Sequence, residues 1–195
     1  LKLHKQINAV SINEGVYTLH DLQECNLKEK NDLSKVRGLL FRFENYDDIF
    51  RGKPGEIVPQ DRIEEDICGY AWDRLPYKER PLDLDRAHLW HAEYNPDEAT
   101  PFASLYTSFG CVFTCSFCMI NIINKTTYDE DISASKMNNM RFIPLKIISK
   151  SLDFFAANGV KNVRICDEMF FFNQQHYQSI LNYIIDKGYD FNMWA

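Results

Sequence analysis

Residues 144–168 read PLKIISKSLDFFAANGVKNVRICDE, and this stretch decides the fold. Pro144 is tolerated in the first turn of a helix, where its missing N–H has no partner to lose. Leu145, Ile148, Leu152 and Phe155 recur at helical spacing and mark one apolar face. Gly159 stands where a left-handed residue closes a helix. Asn162 to Cys166 (NVRIC) then predicts a strand, and Asp167-Glu168 leave its carboxyl end. Working outward, Phe102 to Ser108 (FASLYTS) predicts an earlier strand that runs into a turn at Gly110. Asn124 to Asn139 is a polar excursion between the two. Downstream, Asn173 is placed to cap a second helix, with Tyr177, Ile180, Leu181 and Ile184 on its apolar face and Gly188 at its end. Phe191 to Ala195 predicts a third strand. The order β-α-β-α-β makes this an α/β protein, the beginning of a parallel β/α barrel or of an open doubly wound sheet.

In both architectures ligands gather at the carboxyl ends of the parallel strands. The segment after the first strand is GCVFTCSFC (110–118), and Asp167-Glu168 follow the second. The topology therefore expects both on one rim.

Cys111, Cys115 and Cys118 form a C-x3-C-x2-C run within eight residues. Three thiolates on one short segment suit an iron–sulfur cubane, each holding one iron, with the fourth iron left for a small molecule. Such a vacant position separates a catalytic metal site from a sealed structural one. Zinc is the alternative, with His88 or His91 as a fourth ligand, but zinc knuckles more often use C-x2-C pairs from two loops. Disulfides are disfavoured because the chain is core-forming and three of its six cysteines crowd together. The spacing also differs from that of two-cluster ferredoxins, whose fourth cysteine precedes a proline.

The cysteine segment resembles the signature of the radical S-adenosylmethionine (SAM) superfamily, and ASLYTSFGCVFTCSFC (103–118) is similar to the Thr-Ser-Arg-Gly-Cys-Pro-Phe-x-Cys-x-Phe-Cys segment of its cobalamin-dependent branch. Phe109 stands where that branch usually has arginine, and Val112 where it has proline. The resemblance implies a partial TIM-like radical SAM barrel at 101–195, a linker at 46–100, and at 1–45 the C-terminal part of a Rossmann-like cobalamin-binding domain. Asn13-Glu14-Gly15, Lys35 to Phe43 and Trp72 to Pro76 carry the resemblance upstream. It further implies a 4Fe–4S cluster on Cys111, Cys115 and Cys118, with Phe117 beside the adenine of SAM. Asp167-Glu168 take the place of the Gly-Gly-Glu-like segment that binds the SAM amino group, without its glycines. The implied reaction is reductive cleavage of SAM to start radical chemistry on a small-molecule substrate, fed by an electron donor such as flavodoxin or ferredoxin. Methyl transfer through cobalamin is one outcome the resemblance allows. No Asp-x-His-x-x-Gly, a lower-ligand motif of some cobalamin proteins, is present. A methylthiotransferase-type member, or a zinc module without catalysis, are the alternatives.

Other residues weigh less. Cys166 shares the rim but reads as a small buried hydrophobe, and Cys25 and Cys68 stand alone. His88 and His91 flank Trp90 at a spacing that places both on one helical face, although packing is the commoner use. Phe170, Phe171 and Phe172 read as core or as a pocket wall. In the first half, Ala9 to Ile12 and Val36 to Phe43 predict strands and Val16 to Gln23 a helix, while 53–100 reads as an extended linker in which Trp72 and Pro76 dock. A formal charge of −6 without a basic run gives no support for nucleic-acid binding. No apolar stretch approaches the ~18 residues of a membrane span. With no signal peptide in view, the expected setting is cytoplasmic. The chain begins at Leu1 and stops on a strand, so it is expected to be a piece of a longer enzyme, inactive by itself.

Overall fold

The computed structural model describes residues 1, 3–12, 14–53, 55–75, 102–113, 115–118 and 140–195. The expectations for Pro76, for His88, Trp90 and His91, for the 76–100 part of the linker and for the excursion at 124–139 fall outside them. The chain divides into two compact units, Leu1–Ile67 with Thr114–Asn138, and Cys68–Phe113 with Asn139–Ala195.

In the first unit β1 (Ala9–Ser11), β2 (Leu39–Phe43) and β3 (Asn45–Arg51) form an antiparallel sheet in the order β1-β2-β3. Val10 faces Leu40 and Phe41 faces Phe50. Helices α1 (Gly15–Glu24), α2 (Lys30–Leu33) and α3 (Ile63–Asp66) accompany it. Leu33, Val36, Leu39 and Phe41 are the buried centre, with Leu22, Cys25, Phe43 and Phe50 packed against them. The strand expected from Val36 begins three residues later. Gly38 takes a left-handed φ of 69°, and its N–H donates to Lys53 O, so the chain enters the ladder only at Leu39. A side chain could not follow there: a Cβ on Gly38 would lie 2.8 Å from Ile12 O.

The second unit carries the β/α pattern. Here β4 (Phe102–Leu105), β7 (Asn162–Ile165) and β8 (Asn192–Trp194) make a parallel sheet in the order β4-β7-β8, and β5 (Ser108–Phe109) pairs antiparallel with β6 (Arg141–Phe142). Helix α4 (Leu145–Ala157) links β6 to β7, and α5 (Gln174–Asp186) links β7 to β8. Mixed α/β structure with a parallel sheet is thus present, and no closed barrel is formed among the described residues. The buried face of α4 is Ile147, Ile148, Ser151, Leu152 and Phe155, which rotates the expected stripe slightly away from half-buried Leu145. Ala103, Leu105, Val163, Ile165 and Ile180 are also buried.

Both helices end alike. Val160 N–H donates to Phe155 O and Gly159 N–H to Ala156 O, while Tyr189 N–H donates to Ile184 O and Gly188 N–H to Ile185 O. These are Schellman closures around glycines at φ 72° and 66°. At the start of α5 the Asn173 side chain accepts the His176 N–H at 3.0 Å, as its capping position requires. Trp72 docks on α4: its indole N–H donates to Ser151 Oγ at 2.9 Å and its ring meets the Phe155 ring edge-on at 4.8 Å. No helix among the described residues is long and apolar enough to cross a membrane.

Candidate functional site

The parallel register sets the site. Leu105 on β4 lies opposite Ile165 on β7, so the two strands finish side by side, and Cys166 N–H donates to Leu105 O at 2.9 Å. Tyr106 and Thr107 follow the first strand; Asp167 and Glu168 follow the second.

The strand expected over Phe102–Ser108 is broken between Leu105 and Ser108, and the cause is Asp167. Thr107 N–H donates to Asp167 Oδ1 at 2.6 Å, and the Thr107 and Ser108 hydroxyls donate to Oδ2 at 2.5 and 2.7 Å. The amide that would have extended the ladder is thus captured by a carboxylate sixty residues away in sequence. Both hydroxyl residues are buried, where hydrogen bonds to an ionised acceptor are at their strongest. From α5, His176 reaches the same group, with Nε2 3.0 Å from Thr107 Oγ1. The Thr107 hydroxyl already donates to a carboxylate that only accepts, so its oxygen receives the Nε2–H of His176. Burial holds the His176 pKa below the usual value, opposed by the Asp167 charge and the contact with Thr107. The His176 ring lies 4.8 Å from that of Phe142.

Glu168 is exposed on the rim. Partial loss of water around its carboxyl still raises its pKa, opposed by its own backbone N–H and aided by the charge of Asp167. Tyr106, half-exposed at the strand end, accepts the Tyr70 hydroxyl on its carbonyl at 3.1 Å. The next residues lead through β5 to Gly110, at φ 84°, and Cys111.

Cys111 closes the second unit's part of the cysteine segment, and the boundary between the units falls after Phe113. Cys118 N–H donates to Cys115 O at 3.1 Å, a turn that holds the last two cysteines close in the chain. Cys111 and Cys118 are half-buried and Cys115 is exposed; no pair of the six cysteines is disulfide-bonded. Among the described residues no three or more His, Cys, Asp or Glu side chains are gathered closely enough to hold a metal ion. In donor chemistry Cys111, Cys115 and Cys118 do fit a cluster: three thiols within eight residues, each still reached by solvent. Phe117 is 86% exposed. Cys166 is half-buried, with its thiol 4.0 Å from Arg164 O. Of the three aromatics after it, Phe170 is buried and Phe171 and Phe172 are exposed.

The sequence by itself assigns no role to Thr107, Ser108 or His176. The signal that could have found the first two is a hydroxyl pair at one strand end with a carboxylate at the end of the next parallel strand. His176 gives no such signal, because it reads simply as a residue in the first turn of α5.

The first unit holds a separate cavity of about 590 Å3, lined by residues that include Asp21, Cys25, Lys35 and Arg37. Several of its charges pair with one another. Arg37 grips Asp21 through Nε and Nη2 at 2.8 and 2.6 Å and reaches Glu56 at 3.1 Å, and Lys35 pairs with Asp32 at 2.7 Å.

Compared with known proteins, the chain matches no family model and no curated protein.

Proposed function

We propose that this chain carries the cluster- and SAM-binding part of a radical SAM enzyme. One observation supports the reading above all. A C-x3-C-x2-C segment follows a strand whose in-register parallel neighbour is itself followed by an acidic pair. In this reading Cys111, Cys115 and Cys118, as thiolates, hold a 4Fe–4S cluster. When bound, cluster and SAM together supply the one-electron cleavage of SAM that begins radical chemistry. The chain's own residues bind and orient. Glu168 accepts hydrogen bonds from the SAM ammonium, a charge-assisted contact that its exposed position on the rim leaves room for. Phe117, with its ring uncovered, offers an apolar face for the adenine. Cobalamin, methyl transfer to an unactivated carbon and a flavodoxin- or ferredoxin-like electron donor belong to the same proposal, resting on the resemblance of the 103–118 segment to the cobalamin-dependent branch.

The deciding experiment is low-temperature EPR of the chain after anaerobic reconstitution with iron and sulfide and reduction, with and without SAM. A 4Fe–4S signal that changes shape on adding SAM is the expected result. Tight zinc with no cluster signal would make the cysteine segment a structural knuckle and end the reading.

A further inference from the structure

We propose that Asp167 is a positioning residue for Cys111: its carboxylate pins the Thr107–Ser108 turn to the end of β7, and His176 completes the clamp from α5. The importance of placing Cys111 rests on its reading as a cluster ligand; the clamp itself rests on geometry alone. Asp167 differs from its neighbour Glu168 in how its oxygens are used. Three donors lie within 2.7 Å of it, one of them a backbone N–H, and all come from two consecutive residues. A carboxylate offers about four acceptor sites, so most of this one is spent on the turn. The donors are buried and cannot turn to water if the carboxylate leaves, so removing it strands the Thr107 amide and both hydroxyls. Three elements meet at this point: β4 supplies the turn, β7 the carboxylate, and the first turn of α5 the imidazole, whose helix start is itself fixed by Asn173.

From Ser108 the chain has only β5 and Gly110 before Cys111. The pairing of β5 with β6 covers two residues, Ser108 with Phe142 and Phe109 with Arg141. Two ladder pairs are a weak anchor by themselves. The clamp at Thr107–Ser108 therefore fixes where the Cys111 thiol begins its reach. It accounts for a half-buried acidic residue at this point whose oxygens are turned back onto the chain.

The test is the rate of iodoacetamide alkylation at each cysteine of the apo chain, resolved by peptide mass spectrometry, in wild type, Asp167→Ala and Ser108→Ala. Wild type is expected to protect half-buried Cys111 relative to exposed Cys68. In Asp167→Ala, which loses three such bonds, the Cys111 rate rises by more than the roughly fivefold change in local opening expected for one net hydrogen bond. Cys25, in the other unit, keeps its wild-type rate, which separates loss of position from loss of fold. Ser108→Ala removes one of the three bonds and no charge, and gives a smaller rise at Cys111. It carries the test if Asp167→Ala loosens the whole chain. Asp167→Asn, which keeps an acceptor for the Thr107 amide, restores part of the protection. An unchanged Cys111 rate in Asp167→Ala, or in Ser108→Ala where the first variant is unfolded, overturns the proposal. Iron uptake by wild type is measured separately. A chain that takes up no cluster defeats the ligand reading of Cys111 and leaves the alkylation result, and the clamp, to stand on their own.

Discussion

At the scale of single residues, the cysteine segment and the acidic pair make separable demands. If Cys115 is one of three ligands, Cys115→Ala leaves two thiolates for a cubane that needs three, and reconstituted iron should fall to background while far-UV circular dichroism stays that of wild type. A variant that loads iron fully would remove Cys115 from the ligand set. Glu168→Gln keeps the shape of the side chain and deletes its charge. Iron content should be unchanged and SAM affinity weaker by roughly tenfold, the worth of a charge-assisted hydrogen bond. The same carboxyl predicts a pH effect. Desolvation raises its pKa above the ordinary carboxylate value, so the proton is taken up earlier on acidification and the anion that SAM needs is lost earlier. SAM affinity should fall at a pH above the usual glutamate range in wild type, and this fall should be missing in Glu168→Gln. Equal pH profiles for the two proteins, measured by equilibrium binding, would take Glu168 out of the site.

At the scale of elements, α4, β7, α5 and β8 were legible in the sequence to within a residue or two. Their signals are local: an apolar stripe at helical spacing, a capping asparagine and a glycine at each helix end. Gly159 shows how local they are. Its φ of 72° is left-handed, and a Cβ built there meets nothing within 4 Å. Gly159→Ala should therefore cost about 1 kcal/mol through backbone strain alone, read as a lower urea midpoint with unchanged slope. A neutral result would mean that α4 can end some other way. Where partners lie far off in sequence, the chain carries no local signal of them. The break at Tyr106–Thr107 is imposed by Asp167, and no property of FASLYTS announces it. In the first unit, β3 is NYDDIFR, too polar to show alternation, and it pairs through a ladder that shifts register between Arg42 and Phe43. The short helix Ile63–Asp66, inside a stretch read as extended linker, buries only Ile63, so its sequence carries almost no stripe. The candidate site divides in the same way. The cysteines and acidic pair were visible as chain-local motifs, and the Thr107–His176 contact appears only when α5 is folded against the strand ends.

At the scale of the whole molecule, the two units carry different electrostatic liabilities, so acid should not unfold them together. In the first unit Arg37 holds the Asp21 carboxyl down to about 2 from an ordinary 3.8, through hydrogen bonds that outweigh burial. A depressed carboxyl pKa stabilises the fold above the unfolded value and loses that contribution as pH falls from about 4 through 2, at most about 2 kcal/mol for a pair this close to solvent. In the second unit His176 is shifted the other way relative to its ordinary 6.5, because burial disfavours its cation. There the unfolded chain binds the proton more readily, so stability is full above 6.5 and declines as pH falls below it. The described tryptophans, Trp72 and Trp194, both belong to the second unit, so tryptophan fluorescence follows it, while far-UV circular dichroism follows both. Urea midpoints taken by fluorescence should begin to fall near pH 6.5, and His176→Gln should flatten that decline. Midpoints taken by circular dichroism should show a further loss below pH 4, to which Asp66 of the first unit and Asp153 of the second, both held below the usual carboxylate value by hydrogen bonds, also contribute. Asp21→Asn should reduce that loss and leave the fluorescence decline near pH 6.5 unaltered. Two probes that coincide at every pH, in wild type and both variants, would mean that the units unfold as one cooperative body and that neither group sets its own window.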